Sequence, residues 1–132
     1  MVKIILDSNF LLVPFQFRID ILEELNNLFG RAEPIVLSTT LEELKKMAES
    51  SSVKKRMQFS AALRLTEKCE VLEVKREESE SYDDVILRVA SELKIPVATN
   101  DAELRKKLRR AGVATVYLRD KSKLAVEGHI QS

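Results

Sequence analysis

Apolar positions along this 132-residue chain fall into short uninterrupted runs that alternate with stretches of helical period. The first run, residues 3–6, lacks a 3.6-residue repeat and stops at the polar Asp7-Ser8-Asn9, which predicts a strand buried on both faces. Asp20 followed by Glu23 has the form of a capping box, and Ile21, Leu22, Leu25, Leu28 and Phe29 then recur at helical spacing until Gly30 supplies a stop. Pro34 opens a second apolar run, Ile35-Val36-Leu37, and Thr39 with Glu42 forms another capping-box pair heading a helix through about Glu49. After a serine-rich break at 50–52, Val53, Met57, Ala61, Ala62 and Leu65 mark a further helix. A third strand is expected at 71–74, then an acidic surface loop, then a helix capped by Ser81 with Val85, Ile86, Val89, Ala90 and Leu93 on its buried stripe. A fourth strand at 95–98 tolerates Pro96 at its start; Asp101 caps a basic helix over 102–111 that Gly112 ends; 113–118 is a fifth strand. Residues after about 120 form a tail with no assigned element. This alternation predicts a single domain over residues 1–132, an α/β three-layer α/β/α sandwich around a mostly parallel five-stranded sheet.

Composition narrows the class. With 45% hydrophobic and 33% charged residues, and only three glycines and three prolines, the chain is too apolar to be disordered and too charged to be a membrane protein. No apolar run approaches the roughly 20 residues that cross a bilayer. One cysteine, Cys69, excludes an internal disulfide framework, and Asp7 interrupts the opening apolar run before it could serve as a signal peptide, so a reducing, cytoplasmic location is expected. The formal charge of +1 conceals an asymmetry: residues 67–84 carry eight acids against three bases, whereas 99–123 carry eight bases against three acids. The second segment is positive enough to attract a polyanion although the whole is nearly neutral.

In an open parallel α/β sheet ligands bind beyond the carboxyl ends of the strands, and here the polar residues at those ends are acidic. Asp7 ends the first strand, Glu43 lies in the first turn after the second, Asp83 opens the helix after the third, and Asp101 follows the fourth. Helix capping explains some acids: Glu42 is the residue placed to pair with Thr39, and Asp84 the one placed to pair with Ser81, which leaves Glu43 and Asp83 without that role. Asp7 needs compensation, because a carboxylate at the end of a doubly buried strand must be neutralised or hydrogen-bonded. Convergent carboxylates without a basic partner repel one another, and a divalent cation resolves that repulsion. An all-oxygen donor set favours Mg²⁺ or Mn²⁺, whereas Zn²⁺ is disfavoured by a chain whose one cysteine, Cys69, and one histidine, His129, have no ligand spacing. An acidic cluster beside a positive surface suits metal-assisted phosphodiester cleavage.

The motifs that carry these acids resemble, in order and spacing, those of the PIN-domain nucleases: Leu6-Asp7-Ser8-Asn9, Glu43-Leu44 after Thr39 and Thr40, Asp83-Asp84-Val85-Ile86 with Ala90, and Val97-Ala98-Thr99-Asn100-Asp101. Within that family residues 9–16 and the basic C-terminal region look most like archaeal relatives of the small-subunit processome PIN nuclease and the VapC-like proteins. The resemblance implies a sheet of order 3-2-1-4-5 and makes Asp7, Glu43, Asp83 and Asp101 the catalytic, metal-holding acids. Ser8, Asn9 and Thr99 would orient ligands or water, and Asp84 would replace or assist Asp83. Lys45, Lys46, Arg105, Lys106 and Arg109 would hold an RNA backbone, and Tyr82 either stacks on a base near the scissile phosphate or is partly buried beside the start of its helix. The implied activity is Mg²⁺- or Mn²⁺-dependent endoribonuclease cleavage leaving a 5′-phosphate and a 3′-hydroxyl, in ribosomal RNA processing or as a toxin. The implied partners are RNA, an antitoxin or a second copy of the chain, and no membrane. The competing expectation from another class is a PIN-fold RNA-binding or ribosome-assembly factor that does not cut. A receiver domain is excluded by the lone Asp7 and by Val74-Lys75-Arg76 where a phosphoacceptor would stand, and a haloacid-dehalogenase phosphatase by Asn9 in place of a second aspartate.

Overall fold

Side-chain alternation along the first strand divides the core in two. Ile4 and Leu6 join one apolar layer with Phe10, Leu11, Ile21, Leu25, Leu44 and Phe59, while Ile5 joins the other with Val85, Ile86, Val89, Leu104 and Leu108. The computed structural model describes residues 1–130. Its elements are β1 (Val2–Leu6), α1 (Ser8–Leu11), α2 (Val13–Phe17), α3 (Ile21–Phe29), β2 (Ala32–Leu37), α4 (Ser38–Ser50), α5 (Val53–Leu65), β3 (Glu70–Leu72), α6 (Tyr82–Leu93), β4 (Val97–Ala98), α7 (Ala102–Arg110), β5 (Thr115–Arg119) and β6 (Lys123–Glu127). The sheet order is β3-β2-β1-β4-β5-β6, and every pairing is parallel except the β5–β6 hairpin. The three layers and the 3-2-1-4-5 order match the expectation, with β6 as an additional antiparallel edge. Pro34 is accommodated inside β2 because pairing with β3 begins only at Ile35. Among the described residues no helix is long and apolar enough to cross a membrane.

Local signals hold at several termini. Asp20 accepts from the Glu23 N–H at the head of α3, and Gly30 leaves that helix at φ +76°. Ser81 and Asp84 form a reciprocal capping box on α6.

The Thr39–Glu42 capping box does not form. Helix α4 starts two residues earlier than expected, with Leu37 in place of Thr39 as an N-cap that supplies no side-chain bond. The displaced start is fixed from a distance: the Ser38 hydroxyl donates to the Val74 carbonyl (3.2 Å) and accepts from the Val74 N–H (3.0 Å). Thr39 is then inside the helix and buried, and Glu42 is exposed in an i,i+4 pair with Lys46 (3.8 Å). Glu43 consequently sits in the second turn of α4, not the first.

Candidate active site

Asp7 connects the end of β1 to the start of α1, where its extended backbone makes it the N-cap. Its Oδ1 accepts from the Ser8 N–H at 2.8 Å; its Oδ2 accepts from the Thr99 hydroxyl at 2.7 Å and from Asn9 Nδ2 at 3.1 Å. The Thr99 oxygen in turn accepts from the Asp101 N–H (3.1 Å), Asn9 Oδ1 from the Asn100 N–H (3.0 Å), and Asn100 Oδ1 from the Leu118 N–H (2.8 Å). One polar chain thus ties the carboxyl ends of β1, β4 and β5 together around Asp7. With only 2% of its surface exposed, Asp7 is pushed up to about 6, mainly by burial; the Thr99 and Ser8 hydrogen bonds oppose the shift and repulsion from Glu43 and Asp101 adds to it.

Three further carboxyl groups reach this rim. Glu43 projects from α4 with its titration raised, first by burial and then by Asp83, against a lowering contribution from the Ser8 hydroxyl; its Oε1 is buried with no hydrogen-bond partner. Asp83, in the first turn of α6, is pushed up to about 6 by burial and by the neighbouring carboxyl groups of Asp7 and Asp101. Asp101 also caps α7, accepting from the Glu103 and Leu104 N–H groups at 2.9 and 3.2 Å. The capping and acidic-site roles of Asp101 therefore coexist. Asp84 lies outside the group: it is exposed, and its bonds to Ser81 lower its titration.

Asp7, Glu43, Asp83 and Asp101 act on one another electrostatically from four different elements. Among the described residues no three acidic, histidine or cysteine side chains are drawn together closely enough to form a finished metal cage. The array is open. Its oxygen-only donors, the orphaned Glu43 Oε1 and the elevated titration of Asp7 and Asp83 fit a hard cation that keeps water and completes its shell with substrate oxygens.

The expected cations divide. Lys45 and Lys106 are exposed, and Lys46 lies 5.6 Å from the centre of the Tyr82 ring. Arg76 lies over the same ring at 4.7 Å, so Tyr82 is already covered by side chains of its own chain, and its hydroxyl is buried without a partner. Arg105 pairs with Glu127 of β6 (3.2 Å) and lies 4.1 Å from the Tyr117 ring centre; Arg109 donates to the Val113 carbonyl (3.3 Å). Both arginines are engaged on the β5–β6 side of α7. The opposite flank brings Lys107 close enough to Asp83 and Asp84 to lower the titration of both. Lys107 was not among the candidates. A helical wheel places it and Arg105 on opposite flanks of the Leu104–Leu108 stripe, so only the position of β6 decides which flank meets the acids.

A chain with this α/β fold has recognisable relatives. Residues 4–121 match the family model described as a PIN like domain, and the chain belongs to that family. It is 28% identical over 123 residues to Ribonuclease VapC9 of Archaeoglobus fulgidus, covering 93% of this chain and 87% of the relative. It is 29% identical over 132 residues to Ribonuclease VapC4 of Methanocaldococcus jannaschii, covering 98% and 100%. Among solved structures, the PIN domain endonuclease Utp24 superposes with a TM-score of 0.80 at 26% identity, over 97% of this chain and 92% of that one. DNA-bound VapBC from Salmonella typhimurium, at 22% identity and a TM-score of 0.63 over 89% and 98%, shares the fold.

Proposed function

We propose that this chain is an endoribonuclease that hydrolyses RNA phosphodiester bonds with a divalent cation, Mg²⁺ or Mn²⁺, at the Asp7, Glu43, Asp83 and Asp101 rim. The observation that carries the reading is the mutual electrostatic strain of these four carboxyl groups at the carboxyl end of the sheet. Such strain is a cost in stability unless a ligand of opposite charge uses it. The likeness to two proteins named as ribonucleases and to a PIN domain endonuclease supports RNA as substrate.

The four carboxylates would hold the cation, which when bound supplies Lewis acidity toward the scissile phosphate and acidifies water. The chain's own groups position everything else. Thr99, Ser8 and Asn9 fix the orientation of the Asp7 carboxylate and leave one lone pair of Oδ1 unspent. Glu43, with an unpartnered oxygen, is the group free to accept a proton from an attacking water or to orient it. Lys107, with Lys45, Lys46 and Lys106, supplies positive charge for phosphates flanking the cleaved bond; contacts of this kind hold RNA without reading sequence.

The test is incubation of purified protein with structured and unstructured RNAs in Mg²⁺, Mn²⁺ or EDTA. Internal cleavage only with the cations, giving 5′-phosphate and 3′-hydroxyl ends, is the expected result. RNA binding without cleavage under every condition would instead identify a non-cutting assembly factor.

A further inference from the structure

Beside the acidic rim, on the face of the sheet that carries α1 and α2, lies a groove of about 500 Å³. One wall is the end of α2, with Gln16 and Phe17; the other is Leu118 of β5 and the turn residues Asp120 and Lys121. Its inner end is formed by Asn9 and Asn100, the residues that tie Asp7 to β4 and β5. The groove is thus continuous with the acidic site, separated from the Asp7 carboxylate by one side chain.

The chemistry of the walls is specific. Phe17, an aromatic residue, leaves 36% of its surface exposed. It lines the groove together with the partly buried Leu118. The polar groups are complementary to this. Asn9 spends both ends of its amide within the chain, but Asn100 uses only Oδ1, and among the described residues its Nδ2 has no partner. Gln16 is exposed at the same wall and presents both a donor and an acceptor. An open groove walled by Phe17 and Leu118, with amide groups at its inner end and Lys121 beside Asp120 at its rim, can take a planar heterocycle attached to a phosphate.

We infer that this groove is a nucleobase subsite, in which one nucleotide next to the scissile phosphate places its base against Phe17 and Leu118 and its polar edge toward Asn100 Nδ2 and Gln16. The inference rests on the ribonuclease reading and adds to it the element that selects where the chain is cut. The unpartnered Asn100 Nδ2 is a donor, so a base that presents an acceptor at its inner edge is preferred there. A backbone-holding lysine cannot make that distinction.

The experiment uses RNAs in which one nucleotide at a time, on either side of the cleaved bond, is replaced by an abasic residue. For the wild type, KM rises about tenfold at one position, near 1.4 kcal/mol and at the low end of base–aromatic stacking. Phe17→Ala shows that same rise with unmodified RNA and no further rise at the abasic position, with kcat retained, because uniform binding is what has been lost. Phe17→Tyr keeps the ring and restores the wild-type pattern. Fluorescence anisotropy on the same RNAs gives a second readout that needs no cleavage. If no RNA is cut in any divalent cation, yet affinity shows the Phe17-dependent abasic effect, the subsite stands and the nuclease reading falls. If cleavage proceeds but Phe17→Ala, folded by circular dichroism, responds to abasic substitution as the wild type does, the groove is not a base subsite.

Discussion

Thr99, the residue after β4, donates its hydroxyl to Asp7 Oδ2 at 2.7 Å across the seam between the two central strands, and the same oxygen accepts the Asp101 N–H at 3.1 Å. Thr99 is fully buried, so neither bond can be replaced by solvent. A single hydroxyl therefore sets the orientation of one acid and the backbone of another. Thr99→Val, nearly the same shape, removes both bonds: the variant is expected to lose about 2 kcal/mol of stability, as for hydrogen bonds to charged groups, and to raise the Asp7 titration further. Thr99→Ser restores both. Urea unfolding at pH 7 measures the first effect and NMR titration of the Asp7 carboxyl the second.

The buried Asp7 gives metal-free stability a definite pH dependence. Its folded value near 6 exceeds its ordinary 3.8, so the folded state holds a proton that the unfolded state releases. In EDTA, stability falls as pH rises from about 4 to about 6, and the full penalty, on the order of 2–3 kcal/mol, is present above that window. Asp7→Asn should therefore melt higher than the wild type at pH 7 in EDTA, while the wild type gains more from millimolar Mn²⁺ than the variant does. Thermal melts at pH 4.5 and 7, with and without Mn²⁺, separate these effects.

Adjacent Glu42 and Glu43 have opposite fates. Glu42→Gln removes one exposed i,i+4 pair with Lys46 and no cap, so stability should stay within about 0.5 kcal/mol and cleavage should be unaffected. Glu43→Gln should keep the fold, relieve the repulsion with Asp83, and abolish cleavage. Parallel melts and cleavage rates decide it.

On α7 Arg105 is engaged with Glu127 and Tyr117, whereas Lys107 lies near Asp83 and Asp84. Arg105→Ala loses the Glu127 pair and the Tyr117 contact and should cost about 1 kcal/mol with RNA affinity little changed. Lys107→Ala should leave stability intact, raise the Asp83 titration, and flatten the salt dependence of RNA binding by about 0.7 in log–log slope. Anisotropy across a salt series distinguishes the two variants.

These assignments show what a linear reading can and cannot reach. Asp7, Asp20, Ser81 and Asp101 announce themselves because a cap or a strand-ending acid is a local event. The start of α4 is hidden because Ser38 answers to Val74, 36 residues away. Helices α1 and α2, four and five residues long, are too short to show a period. The β5–β6 hairpin turns through Asp120 and Lys121, at φ +53° and +58°, without the Asn-Gly signal that such a backbone favours. Missing β6 has a consequence on α7: without Glu127 in view, nothing in the sequence distinguishes the Arg105 flank from the Lys107 flank. The groove beside Asn9 and Asn100 was equally hidden, since its outer walls are α2 and the hairpin turn.

Whether Asp7, Glu43, Asp83 and Asp101 form one cation-dependent hydrolytic site is decided by the rate of cleavage of an end-labelled RNA across a Mn²⁺ titration, for the wild type, Asp83→Asn and Asp84→Asn. One shared site gives a saturable rise with Mn²⁺ for the wild type, a loss of at least about a hundredfold for Asp83→Asn, near-wild-type rates for Asp84→Asn, and no cleavage in EDTA. Equal cleavage in EDTA, or an Asp83→Asn variant as fast as the wild type at every Mn²⁺ concentration, would contradict it.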